Sequence, residues 1–267
     1  MSESGLGRGA PLIYGLTLII VAFLLLPLMI PIVLSVSNTP FVTFPPKGFT
    51  LEWYGKVLNE PDFTSSFGFS VVLSSVAALG AVLLGTPTAI GLVRLRFPGR
   101  SLVQALILSP LIFPTLVTGI ALLRLFSSIG SQDAFVNLVI GHVLVTAPYV
   151  VRTVSASLVT INPSIEEAAR TLGASHFQAF WRITRPQIMP GLVAGALFAF
   201  VTSFDNYAVS MWLFDPSHVP LPMMMVSLIS RMFDPGIAAI ASLMILFSLF
   251  MVLLLERLAG LRRAMSF

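Results

Sequence analysis

Few side chains in this chain are arranged for covalent chemistry. Cysteine is absent, which removes thiol nucleophiles, thiolate metal ligands and disulfides. His142, His176 and His218 fall in separate segments without HExxH or paired-carboxylate spacing, and no serine stands in a GxSxG elbow. No GxxxxGK[ST] loop or Rossmann glycine pattern is present to cradle a nucleotide phosphate. What remains is non-covalent chemistry at two places. The first is residues 162–190, NPSIEEAARTLGASHFQAFWRITRPQIMP, a long polar interval between two strongly apolar runs. There Glu166 and Glu167 offer anionic contacts, Ala168 and Ala169 leave a low surface that a partner can approach, and Gly173 permits a left-handed turn. A small helix, a turn and a basic, aromatic-rich helix ending at Pro186 would make a rigid docking knob.

The second place is Asp205, followed by Asn206 and Tyr207. Counted outward from Pro190 at 1.5 Å per residue, Asp205 stands roughly 22 Å along a helix, in the outer half of an apolar core about 30 Å thick. A carboxylate at that depth costs a few kcal/mol unless it is paired or hydrated, so it faces a cavity or a partner. A helix-end residue bonded to neighbouring backbone, or one paired with Arg124, is the structural alternative to a role on a solute path. Thr115 and Thr118 follow Pro110 and Pro114 in another apolar run, where carbonyls freed by proline need partners or water; they join the candidate path. His142 reads as a hydrogen-bonded packing residue in preference to a proton relay, because no second histidine or carboxylate is near it in sequence. Trp53 and Tyr54 read as headgroup-level anchors, and Met223–Met225 as part of a packed re-entrant or interfacial helix.

These residues need a membrane scaffold. Hydrophobic residues make up 56% of the 267 and charged residues 10%, against about 25% charged in an ordinary soluble domain. Apolar runs fall at about 11–34, 67–93, 101–123, 134–158, 191–214 and 236–255, each long enough to cross a bilayer. The first is about twice too long for a signal-peptide core, and Pro27 and Pro31 stand where a small-residue cleavage site would be. Ser70, Ser74, Ser75, Ala77, Ala78, Gly80 and Gly85 mark the second run as an interior helix. The expectation is an all-α membrane protein: one domain over 1–267 with six transmembrane helices and a helix-turn-helix in loop 159–190, between spans 4 and 5.

The basic residues orient it. With both termini cytoplasmic, the inner segments carry eleven arginines: Arg8, Arg94, Arg96, Arg100, Arg152, Arg170, Arg182, Arg185, Arg257, Arg262 and Arg263. The outer ones hold four basic residues, Lys47, Lys56, Arg124 and Arg231. This positive-inside asymmetry puts loop 159–190 in the cytoplasm. It also accounts for the net charge of +4 and pI near 10.0 as topology, with no basic cluster interleaved with a stacking platform for nucleic acid.

The run Glu167-Ala168-Ala169, three residues, Gly173, nine residues, Ile183, two residues, Pro186 resembles the EAA signature of membrane subunits of ATP-binding-cassette importers. The resemblance extends through APYVVRTVSASL before it and PGLVAGALFAFVTSFDNYAVSMWL after it. Within those importers the chain is most similar to the spermidine/putrescine permease group, as the second of two permease subunits. Two positions depart from the pattern: Arg185 stands where the signature usually has leucine, and Asn206 follows Asp205 where many polyamine permeases have a second acid.

The resemblance implies a half-transporter of a bacterial cytoplasmic (inner) membrane. It would pair with a homologous permease subunit, dock on a dimer of cytoplasmic ABC ATPase subunits and receive solute from an extracytoplasmic substrate-binding protein. The solute would be a polyamine or a related small compound such as an opine or phosphonate. This chain would bind no cofactor and catalyse no reaction, ATP and Mg acting in the ATPase subunits. Glu166, Glu167, Ala168, Ala169 and Gly173 would carry the coupling. The rival reading is an ATP-independent secondary transporter or channel using Asp205 as an ion or proton site, and a third is a non-transporting membrane tether; reconstitution separates them.

Overall fold

A computed structural model describes residues 10–39, 41, 43–231 and 235–259. Arg8, Arg262 and Arg263 of the topology count lie outside the described residues. Every regular element among the described residues is helical: α1 (Ala10–Leu34), α2 (Glu52–Leu58), α3 (Pro61–Arg94), α4 (Arg100–Leu108), α5 (Thr115–Ser128), α6 (Ala134–Thr160), α7 (Pro163–Thr171), α8 (His176–Ala179), α9 (Arg185–Phe204), α10 (Tyr207–Leu213), α11 (Leu221–Arg231) and α12 (Pro235–Ala259). Among the described residues five helical stretches are long and apolar enough to cross a membrane: Ile13–Leu34, Pro61–Arg94, Ala134–Thr160, His176–Phe204 and Pro235–Leu254. A sixth crossing results if α4 and α5 are counted together.

The described residues fall into two units, one of residues up to Glu60 with Ser227–Phe247, the other of Pro61–Val226 with residues from Ser248 onward. In the first, the segment after α1 folds back on itself, Asn38 N–H donating to Lys47 O and Thr50 N–H to Val36 O. This fold buries Trp53, whose Nε1–H donates to Ser37 O at 2.8 Å. Tyr54 Oη shares hydrogen bonds with Ser35 Oγ and Ser242 Oγ. Both aromatics therefore lock the loop internally, where the sequence suggested headgroup anchors. The reason is that a folded-back loop presents carbonyls and hydroxyls within reach.

In the second unit α3, α6 and α9 form the core. The buried residues of α3 include Ser70, Ser74, Ala77, Ala78, Ala81, Gly85, Ala89 and Leu92, a stripe at helical spacing whose small side chains let neighbours approach. Ser75, one position off the stripe, is exposed and donates to Val71 O. α6 and α9 approach closely at two glycines of α9. A Cβ on Gly191 would lie 2.6 Å from Thr153 O, and one on Gly195 would lie 2.9 Å from Val150 Cα. The GxxxG spacing of these glycines, common enough in any sequence to mean little, here marks a backbone-to-backbone contact.

Three element boundaries bear on the sequence expectation, the first as the interruption that Pro110 and Pro114 implied and the other two as departures from it. The third apolar run is two helices bent by 101°. Pro110 sits in a 3-10 turn, Ser109–Leu111, and Pro114 in an extended N-cap conformation. Leu106 O, which Pro110 leaves without its helical N–H, accepts instead from the Ser109 hydroxyl at 2.7 Å, and the turns after the break close with Ile112 and Phe113 N–H donating to Ser109 O and Val117 and Thr118 N–H to Pro114 O. Secondly, helix is continuous from His176 to Phe204, through Pro186, where the sequence suggested a stop, and on through Pro190. A π turn over Phe180–Thr184 widens the backbone where the Pro186 ring would crowd the Arg182 carbonyl. Thirdly, the run at 191–214 breaks, α9 ending at Phe204 and α10 beginning at Tyr207.

Candidate functional site

The two candidate places lie beyond opposite ends of α9, whose 20 residues span roughly 30 Å. At its start, α7 is bounded by local chemistry. Asn162 is the N-cap, its Oδ1 accepting from Ser164 N–H at 3.1 Å, and Pro163 occupies the first turn, where a missing N–H costs nothing. The helix ends in a Schellman motif: Ala174 N–H donates to Ala169 O and Gly173 N–H to Arg170 O, with Gly173 at φ +91°. Any side chain there would be strained. The chain then re-enters helix through a capping box between Ser175 and Gln178.

α7 turns its two glutamates to different uses. The Glu166 side chain, 18% exposed, is gripped by Arg94 at the end of α3: Nη1 donates to Oε2 at 2.7 Å and Nη2 to Oε1 at 2.5 Å. Thr184, fully buried at the end of the π turn, also donates to Glu166 Oε1. One carboxylate thus ties α7 to α3 and to the start of α9 with a bidentate, charge-assisted geometry. Glu167 and Ala168 are exposed, and so are Leu172 (89%) and Phe177 (70%). The exposed groups of this region are thus an anion, a small alanine side chain and two apolar side chains. Arg185, the departure from the EAA pattern, lies over the Trp181 ring at 4.8 Å, a cation–π contact one turn apart on the same helix.

At the far end, Asp205 occupies the C-cap of α9 and is exposed, where the sequence count put it within a continuous helix. Among the described residues no ion pair joins it to Arg124. Asn206 is buried as the N-cap of α10, its Oδ1 accepting from Val209 N–H at 3.0 Å. That bond occupies the side chain and explains the break: an asparagine that caps the next helix stops the preceding one. Thr115 and Thr118 belong to α5, which packs on α10 through Gly119. A Cβ on Gly119 would be 2.9 Å from Ala208 O. Thr115 is exposed, and Thr118 Oγ1 donates to Pro114 O at 3.4 Å. The structure therefore brings the α5 and α10 candidates onto packed neighbours, with Asp205 at the break beside them.

His142, 1% exposed, holds that break together. Its Nδ1 is 2.7 Å from Ser203 Oγ, before the break, and its Nε2 3.1 Å from Ser210 Oγ, after it. Ser210 Oγ already donates to Asn206 O at 2.5 Å, so it accepts from Nε2–H. Nδ1 is then the acceptor from the Ser203 hydroxyl, which fixes one neutral tautomer. Sequence reasoning assigned His142 a packing role but had no means of naming Ser203 and Ser210. It passed over Arg94 and Thr184 as well, for Arg94 is 72 residues from Glu166. Asn206 did carry a readable signal, an N-cap residue type before a helical run.

The chain matches the profile of the family described as binding-protein-dependent transport system inner membrane component over residues 81–263. It belongs to that family. The permease is 33% identical over 230 residues to the putrescine transport system permease protein PotI of Escherichia coli K12, covering 84% of this chain and 82% of that one. It is 32% identical over 241 residues to the spermidine/putrescine transport system permease protein PotC of the same organism, covering 90% of each. Its fold is shared with a bacterial ABC transporter involved in the import of alginate, at a TM-score of 0.70 and 18% identity over the whole of both chains. It is shared also with the MetNI methionine ABC transporter in an inward-facing conformation, at a TM-score of 0.60 and 17% identity, over 74% of this chain and 94% of that one. The protein is a multi-pass inner-membrane permease subunit of an ATP-binding-cassette importer, and among such subunits it is similar to polyamine permeases.

Proposed function

We propose that residues 1–267 act as one transmembrane permease domain with both termini cytoplasmic, forming half of a path for a polyamine or a related small solute. It pairs with a homologous permease subunit, receives solute from an extracytoplasmic binding protein, and docks on a dimer of cytoplasmic ABC ATPase subunits that hold the ATP and Mg. The observation that carries this reading is the Arg94–Glu166–Thr184 cluster. A displacement of α7 by an ATPase draws on α3 and α9 while the pair holds, because one carboxylate links all three. Glu167, Ala168, Ala169 and the Gly173 turn then form the outward contact, and Glu166 transmits its movement. Such a link converts a push into a change of helix packing between two states.

Asp205 is the candidate solute contact: its exposed carboxylate is the right charge for a cationic amine, and Tyr207, Thr115 and Thr118 stand on the adjoining helices. Asn206 serves here as the cap that presents Asp205. The experiment is reconstitution of the permease with its co-purifying ATPase and binding protein. A Gly173→Ile variant should insert and fold yet lose ATP-dependent uptake, as the β-branched side chain resists positive φ. Undiminished ATP-dependent uptake by that variant would remove α7 from the coupling path. Uptake driven by an ion gradient without ATP would instead favour the secondary-transport reading.

A further inference from the structure

Beside the α7 latch lies a cleft of about 850 Å³ bounded by the end of α3, the start of α4, the end of α6 and α7. Its charge is unbalanced. Four arginines line it, Arg94, Arg96, Arg100 and Arg170, against two glutamates, Glu166 and Glu167, which leaves a formal excess of two positive charges with His176 neutral. Arg94 is taken up by Glu166. The side chains of Arg96, Arg100 and Arg170 make no hydrogen bond or ion pair with the described residues. α4 begins at the same rim with Gly99 as N-cap and no side-chain capping bond, so the orphan N–H groups of its first turn stand beside Arg100. The rim also has an apolar part, where Leu95 is 60% and Val159 73% exposed.

We propose that this cleft binds the phosphate headgroup of an anionic phospholipid. The guanidinium groups of Arg96 and Arg100, with the uncapped turn of α4, take the phosphate; Leu95 and Val159 lie against the first methylenes of the acyl chains. The position is consistent with this: the cleft opens where two membrane-spanning helices, α3 and α6, end, which is where headgroups are. Basic pockets between spans at a cytoplasmic surface take anionic headgroups for the same electrostatic reason. A soluble phosphate would satisfy the arginines equally but would leave the apolar rim uncovered. Because the occupied cleft adjoins the Arg94–Glu166 pair, bound lipid would steady α7 in the orientation in which it meets a partner.

The test uses the purified permease with whatever subunits co-purify, in a neutral detergent. Dioctanoyl-phosphatidylglycerol, dioctanoyl-phosphatidylcholine and inorganic phosphate are titrated separately, and the shift of the unfolding midpoint is read. Phosphatidylglycerol should raise the midpoint saturably, and the other two should not. The double variant Arg96→Gln/Arg100→Gln should weaken phosphatidylglycerol about thirtyfold, the product of two single-charge contributions near an anionic surface. Arg96→Lys/Arg100→Lys, which keeps the charge, should retain most of the affinity; if the double glutamine variant does not fold, the single variant Arg96→Gln serves, with about a fivefold weakening expected. An equal response to inorganic phosphate would overturn the lipid assignment, as would unchanged phosphatidylglycerol affinity in the glutamine variant. Loss of the ATPase subunit from that variant with lipid affinity intact would make the cleft a protein contact and overturn it too. None of these readouts depends on transport, so failure of the coupling reading would leave this result interpretable.

Discussion

At one end of α9 the carboxylate of Glu166 is held by Arg94 and Thr184; at the other the imidazole of His142 sits between Ser203 and Ser210. The first uses full charges, the second neutral donors and acceptors, and the difference follows water. Arg94 and Glu166 keep 34% and 18% of their side-chain surface exposed, so neither ion is fully desolvated. His142, Ser203 and Ser210 are buried among apolar helices, where a charge would cost more than a neutral hydrogen bond returns. The charged link tolerates rearrangement because water can replace it. The neutral one does not, which suits a joint that must hold a broken helix in register while the other end moves.

The comparison predicts an order of effects. The packing beneath both joints should matter most. Gly195→Val puts side-chain atoms where Val150 Cα already stands and should destabilise the subunit by about 3 kcal/mol. Gly68, with nothing within 4 Å of a Cβ, is the control, and Gly68→Ala should leave the midpoint unchanged or raise it. Equal unfolding midpoints in detergent for the two variants would mean that the α6–α9 approach is not tight.

The neutral joint comes next. His142→Ala opens a cavity and strands the Ser203 hydroxyl, Ser210 keeping its bond to Asn206 O, for a loss of about 2 kcal/mol, the interhelical hydrogen bonds themselves being modest in a membrane. A midpoint matching the parent protein would show that α9 and α10 need no suture. The charged joint should affect stability less and function more. Glu166→Gln should cost about 1 kcal/mol, discounted for solvent exposure, yet reduce ATP-dependent uptake several-fold. Arg94→Glu with Glu166→Arg should recover part of that uptake; if the double variant is no better than either single one, the pair does not transmit movement.

The smallest structural effect is expected at Asp205. Asp205→Asn removes charge from an exposed group with little change of shape and should move the unfolding midpoint by less than about 0.5 kcal/mol in equivalent stability. Its effect should appear as slower uptake of a cationic solute. Unaltered uptake kinetics would make Asp205 only a helix terminus.

The sequence alone determined the elements whose cause is local. Proline fixes its own φ, so the interruption at Pro110 and Pro114 was readable; small residues at helical spacing announced the buried stripe of α3; and the spacing of Gly173 from Glu167-Ala168-Ala169 marked the turn that the Schellman motif makes. Composition placed the chain in a membrane, and the EAA signature placed it in a family. Tertiary structure decided what depends on groups distant in the chain. Pro186 looked like a stop, but a π turn carries the helix past it and on through Pro190. Asp205 looked like a mid-helix carboxylate, but the capping role of Asn206 ends the helix before it. Glu166 looked like one of two equivalent surface acids until α3 brought Arg94 to it across 72 residues. A backbone preference acts within a turn or two and leaves its mark in the local sequence. An ion pair or a close helix approach is made only when whole helices settle on one another, and a linear pattern has no term for that distance.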